Sequence, residues 1–180
     1  MKHVLHTLFL GMSLFLFSCK NQTNANEPEI KTAPGASELV SKGEIQEVTF
    51  TSKGASKVFY YYIKLKDALV NTDASLTSKV SSMFKEVVIS IDNHENIVTA
   101  LEQMSTSSDI QFQREKFVIV TAGVEKILED NVAKGVFYKQ YCPMAFNNMG
   151  GYWLSNSKEI RNPFFGDKML KCGRIDKEIN

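Results

Sequence analysis

The chain has 180 residues, 43% of them hydrophobic, with 21 basic and 20 acidic side chains and a formal net charge of +1. That content supports a packed core and excludes global disorder. Beyond the first 18 residues the basic and acidic side chains balance at 20 each, so nothing resembles a basic nucleic-acid surface.

Met1-Lys2-His3 opens with positive charge, and the fourteen residues from Val4 to Phe17 are mostly apolar. That run is short for a permanent membrane helix and suits a signal-peptide core. It ends Leu16-Phe17-Ser18-Cys19, which resembles a bacterial lipobox. In that class the peptide is cut before the cysteine, which is then lipidated. Residues 1–18 are thus expected to be a signal peptide and Cys19 a lipidated N-terminus. An ordinary secretory signal with Cys19 incidental is the alternative. Several acyl chains would hold the protein stably at a membrane, where one chain holds only marginally. Lys20, rather than Asp, follows the cysteine. By analogy with bacterial sorting rules this favours the outer membrane, with the protein facing the periplasm.

Lys20 to Lys42 is rich in Asn, Thr, Ser, Ala and Pro and has no apolar period. Residues 19–54 therefore read as lipidated N-terminus and flexible tether, whose coil would reach about 25 Å. Within it, Ile45 to Phe50 suggests a short strand or a packed extended segment.

Four amphipathic helices follow. Val58, Tyr61, Tyr62, Leu65, Ala68 and Leu69 set the first stripe. Asn71-Thr72-Asp73 ends that helix and can cap the second, whose stripe is Leu76, Val80, Met83, Phe84, Val87 and Ile91. Asp92-Asn93-His94-Glu95 has capping-box spacing and opens a third helix through Ile97, Leu101 and Met104. Ser108-Asp109-Ile110-Gln111 offers another box, ahead of Phe117, Val120, Val124, Ile127 and Leu128, with Gly135 as the stop. Met83 and Met104 fall in these stripes and read as core. Short links between long helices predict an up-and-down four-helix bundle over residues 55–135.

From Val136 the pattern turns toward β. Short strands are expected near Phe137–Tyr141, Tyr152–Ser155 and Gly173–Glu178, with a helical turn near Asp167–Leu170. Gly150-Gly151 and Asn162-Pro163 mark turns. Residues 136–180 would form a small β-rich cap on a mainly α fold, in one globular unit with the bundle. Trp153 reads as an anchor packed toward the helices.

The cap holds Cys142 and Cys172, both cysteines outside the leader region. In Cys142-Pro143-Met144 the sulfurs stand at i and i+2, which share a face on an extended backbone. In Met169-Leu170-Lys171-Cys172 they stand at i and i+3, which share a face on a helical turn. Two such arms facing each other present two thiolates and two thioethers, a donor set that selects Cu(I). Met149 is nearby in sequence as a further ligand. A Cys142–Cys172 disulfide is the alternative in an oxidising compartment; its loop of about 30 residues would contribute roughly 3–4 kcal/mol. Free buried thiols are a third reading.

Catalytic constellations are missing from the sequence. His94 is the sole histidine beyond the leader, in a helix-capping turn, and no Ser-His-Asp set, phosphate loop or zinc helix is visible. No enzyme is expected.

The segment resembles the C-terminal signature of a domain family of unassigned function in secreted bacterial proteins. The residues concerned are Tyr141-Cys142-Pro143-Met144-Ala145, Tyr152-Trp153-Leu154-Ser155, Ile160-Arg161-Asn162-Pro163-Phe164-Phe165-Gly166 and Met169-Leu170-Lys171-Cys172-Gly173. Tyr62 to Val70 and Gln113 to Phe117 resemble helices of the same family. Such domains are associated with periplasmic adaptors of copper and silver efflux systems. The resemblance implies a lipoprotein that handles Cu(I) or Ag(I), with an efflux adaptor or transporter as partner. One departure is Ala145, where related metal-binding segments often read Cys-Pro-Met-His.

Overall fold

The computed structural model describes residues 44–91 and 94–180. The expected signal peptide, Cys19, most of the tether and the box residues Asp92 and Asn93 lie outside the described residues. The described chain is mainly helical, with small antiparallel sheets gathered toward its C-terminal part. No described helix is long and apolar enough to cross a membrane.

Three of the four long helices begin at a side chain that satisfies a free N–H group. Helix α1 (Lys53–Val70) starts at Ser52, whose hydroxyl accepts the Ala55 N–H at 3.0 Å. It thus begins a full turn before the apolar stripe, because the cap and not the stripe sets the start. Asp73 caps α2 (Ala74–Ile89) through the Leu76 N–H at 2.8 Å. His94 stands at the N-cap of α3 (Glu95–Ser105) with no side-chain cap hydrogen bond. Asp109, not Ser108, caps α4 (Ile110–Glu129), accepting the Gln111 N–H at 2.8 Å.

Helix α1 packs on α2 and α4, α2 on α3, and α3 on α4. Between them lie Tyr62, Leu65, Leu69, Phe84, Val88, Leu101, Met104, Phe117, Val124 and Leu128, all fully buried. The second helix departs from expectation. Its buried positions are Thr77, Val80, Ser81, Phe84 and Val88, while Leu76 and Met83 are exposed. Met83 is therefore not core. Small polar Thr77 and Ser81 occupy the inner face instead, and the Thr77 hydroxyl is satisfied by the Asp73 carbonyl at 2.7 Å. Hiding small residues rotates the stripe without burying an unpaired Thr77 hydroxyl.

Gly135 does not stop α4, which ends at Glu129. A strand missed in the sequence, β2 (Val132–Lys134), intervenes and pairs antiparallel with β1 (Thr49–Phe50). Gly135 follows with φ +92°, and a Cβ there would stand 2.2 Å from the Glu47 carbonyl oxygen. Only glycine permits that approach.

The larger sheet has β3 (Phe137–Cys142) between β4 (Gly151–Ser155) and β5 (Arg174–Ile179), all antiparallel neighbours. These strands and the 3-10 turn Gly166–Met169 lie within a residue of the sequence expectation. Successive strand residues face opposite ways. One face meets the helices: the Leu154 N–H donates to Tyr62 Oη at 2.9 Å, and Lys139 pairs with Glu125 of α4 at 2.7 Å. The other face, with Gln140 and Trp153, is covered by residues 156–173. Gln140 Nε2 donates to the Ser157 carbonyl at 2.9 Å, and Trp153 lies against Gly173, where a Cβ would be 2.8 Å from its ring. Trp153 is fully buried and reaches the helices through Phe164, whose ring stands edge-on to it at 5.8 Å and 6.2 Å from Phe117.

Candidate functional site

Cys142 ends β3, opposite Gly151 of β4, and is fully buried. Cys172 is half-buried on the bend between the 3-10 turn and β5. Their Sγ atoms are 3.0 Å apart, and both cysteines are free thiols. The geometry lies between two chemical states. A disulfide requires closure to about 2.0 Å. Two sulfurs each about 2.3 Å from one tetrahedral ion stand roughly 3.8 Å apart. Either product needs a shift of about an ångström, small enough for side-chain rotation.

The Met169–Cys172 arm is a helical turn, closed by the Cys172 N–H donating to the Met169 carbonyl at 3.0 Å. Met169 is half-buried. The other arm does not keep its expected shape. The chain leaves the strand after Cys142, and Met144 has φ −87° and ψ −9°, which is helical backbone. Met144 and Cys142 therefore do not lie along one extended face: the thiol is buried and Met144 is 47% exposed. Proline at 143 explains the exit, since it has no N–H to continue the ladder. Met149 is 79% exposed.

Between these methionines runs an unusual turn, Ala145–Asn148. Phe146, Asn147 and Asn148 all adopt positive φ, at 51°, 57° and 68°. Three left-handed residues in a row cost about 1–2 kcal/mol each unless the side chain compensates. Asn tolerates this region; Phe does not. The Phe146 ring offsets the cost by packing edge-on against Phe164 at 5.0 Å, and the Gly150 N–H closes the turn onto the Ala145 carbonyl at 2.9 Å.

Two residues outside the sulfur motif hold the Cys172 arm. Asn162 is fully buried and makes four hydrogen bonds. Its Nδ2 donates to the Cys172 carbonyl at 2.8 Å and its N–H to the Leu170 carbonyl at 2.9 Å. Its Oδ1 accepts the Phe164 N–H at 2.8 Å, and its own carbonyl accepts the Gly166 N–H at 3.0 Å. Arg114 of α4, also buried, donates from Nε to the Pro163 carbonyl at 2.9 Å. Its Nη2 reaches the Leu69 carbonyl at 3.2 Å and Thr72 Oγ1 at 3.1 Å. The Asn-Pro turn and the C-terminal signature both mark Asn162 in the sequence, without pointing to its contact with Cys172. Arg114 carries no signal distinguishing it from a solvated helix charge.

The thiol contact has an electrostatic consequence. Hydrogen bonding to Cys142, then burial, then the adjacent sulfur's charge push the Cys172 thiol up to about 11. Cys172 is therefore held as the neutral thiol at neutral pH, so a soft cation binding there must displace its proton. His94 lines a groove of about 400 Å³ with Val88, Ile91 and Val98, and neither cysteine lines it. Among the described residues no cluster of three or more His, Cys, Asp or Glu side chains is arranged to hold a metal. Methionine sulfur stands outside that set of donors.

Residues 58–134 match the model of a family described as "Protein of unknown function (DUF3347)". The matched span runs from Val58 of α1 to Lys134 at the end of β2. The cysteine pair and the C-terminal signature lie beyond the matched span. No curated protein and no solved structure matches the chain.

Proposed function

We propose that the protein is a lipid-anchored envelope protein that binds a soft heavy-metal ion, Cu(I) or Ag(I), at Cys142 and Cys172. The observation that carries this reading is the 3.0 Å approach of two thiols 30 residues apart, each followed or preceded by methionine. Met169 sits on the same closed turn as Cys172 and would supply a thioether. Met144, and Met149 beyond it, join only if the Ala145–Asn148 turn brings them inward. Soft sulfur donors favour monovalent copper or silver over harder ions. The resemblance of the C-terminal signature to efflux-associated domains supports a role in metal efflux or homeostasis, with an adaptor or transporter as partner. The role proposed is binding, not catalysis.

The scaffold is read as an up-and-down four-helix bundle. Support comes from the neighbour pattern, in which each helix packs on the next and α4 returns to α1. The anchor is read as a lipid on Cys19, placing the protein at the outer membrane facing the periplasm. Cys19→Ser should release it from membranes; a variant still processed and membrane-bound sinks that part.

The same approach of sulfurs favours one alternative, a Cys142–Cys172 disulfide stapling a metal-free interaction module. Titration of reduced protein against a Cu(I) chelator separates the two. One equivalent of Cu(I) taken up, and lost in the double Cys→Ser variant, supports the metal site. No uptake by reduced wild type leaves the stapled module.

A further inference from the structure

We propose that Asn162 is the positioning residue of the sulfur pair: its side-chain amide sets Cys172 against Cys142 before any metal or oxidant arrives. The inference rests on reading Cys142 and Cys172 as a functional pair. Cys142 is fixed by the strand ladder of β3. Cys172 has no such support, because β5 begins only at Arg174. Its own N–H is used within its turn, on Met169. The direct tie on Cys172 itself is its carbonyl, which accepts Asn162 Nδ2 at 2.8 Å, beside the Lys171–Glu159 ion pair on the preceding residue.

The amide orientation is determined by the network. Asn162 Oδ1 accepts the Phe164 N–H, an N–H that only an oxygen can receive, so the nitrogen faces Cys172. Asn162 is 0% exposed, so its amide is held by these protein partners and not by solvent. Its N–H holds Leu170 as well, so one residue closes both ends of the turn bearing Met169 and Cys172. A pair held together in advance raises the effective concentration of one sulfur at the other. The gain applies to any reaction that needs both, whether metal capture or disulfide formation.

Asn162→Ser isolates the contact. A serine hydroxyl can still accept the Phe164 N–H in a turn of the same kind, but it is too short to reach Cys172. The mature protein is equilibrated with glutathione. Cys142 and Cys172 give up two electrons and two protons as their disulfide forms; glutathione disulfide takes them and becomes two glutathione molecules. The equilibrium constant for Asn162→Ser should fall at least tenfold, about 30 mV for this two-electron couple. Cu(I) affinity against a chelator should also fall by at least tenfold. Val88→Ala, in the core of α2, is the control for simple destabilisation and should move none of these. Asn162→Asp keeps the acceptor for Phe164 and loses the donor to Cys172; it takes the same measurements where Asn162→Ser does not fold. A wild-type glutathione equilibrium constant in the folded variant overturns the proposal. If wild type takes up no Cu(I) while the variant still shifts the glutathione equilibrium, the metal reading falls and the positioning role stands. If wild type binds Cu(I) and the variant is unchanged, only the positioning role falls.

Discussion

Cys172 shows how a neighbour of the same kind alters a side chain. Its thiol shares a hydrogen bond with Cys142, and ionising it would place a charge beside a second sulfur. The raised value has a pH consequence for the reduced protein. The fold favours the neutral thiol, so its contribution to stability is complete below the unfolded thiol range, about 8.5. It is lost as pH rises toward about 11. Reduced wild type should therefore lose stability between those values relative to Cys172→Ser, measured by urea unfolding at each pH; parallel pH curves would contradict this. Tyr62 makes a second residue-scale case. Burial raises its pKa far above the usual phenol range, and its hydroxyl joins three elements, through Thr121 Oγ1 at 2.9 Å and the Leu154 N–H at 2.9 Å. Tyr62→Phe keeps the ring stacked on Phe117 and strands a buried N–H. A loss of about 1–3 kcal/mol is expected in the same unfolding measurement.

At the scale of elements, the reading of the sequence succeeded where one local signal governs. Asp73 before an apolar run caps α2, and the aromatic run after the Gly150-Gly151 turn makes β4, because each depends on its own neighbours. It failed where a distant partner decides. Nothing local makes Val132–Lys134 a strand; its pairing with Thr49–Phe50 does. Nothing local turns Thr77 and Ser81 inward; the packing of α2 does. The sulfur motif divides the same way. The Met169–Cys172 turn follows from its spacing, whereas the Cys142–Met144 arm is redirected by Pro143 and by a left-handed turn seated on Phe164, far along the chain. That turn is open to test. Asn147→Val puts a β-branched side chain at φ 57° and should cost about 1–2 kcal/mol or more. Asn147→Gly should stay within about 1 kcal/mol of wild type. Equal effects in a thermal melt would mean that position 147 is not left-handed in solution.

The whole molecule depends on contacts that cross from the helices to the sheet and its covering segment. Phe117 of α4 meets Phe164, Tyr62 meets Leu154, and Arg114 ties the end of α1 to Pro163 beside the Asn162 network. Arg114 is the most exacting of these, since a buried guanidinium must have its hydrogen bonds and its acceptors have few substitutes. Burial lowers its proton affinity, and the charge of Asp167 partly restores it. Arg114→Leu would leave the Pro163 and Leu69 carbonyls buried without this partner. Hydrogen bonds to charged groups contribute about 1.5–3 kcal/mol each, so a loss of about 3 kcal/mol or more is expected. The way unfolding proceeds matters more than its size. Far-UV dichroism reports the helices, and Trp153 fluorescence reports the sheet and the segment over it. In wild type the two transitions should coincide in urea, as in one cooperative unit. With Arg114 replaced, the fluorescence change should come first and the Cys172 arm should become alkylated at lower urea than the helices melt. Transitions already separate in wild type would show that the sheet with its cysteine pair folds on its own, and that Arg114 is not what joins it to the helices.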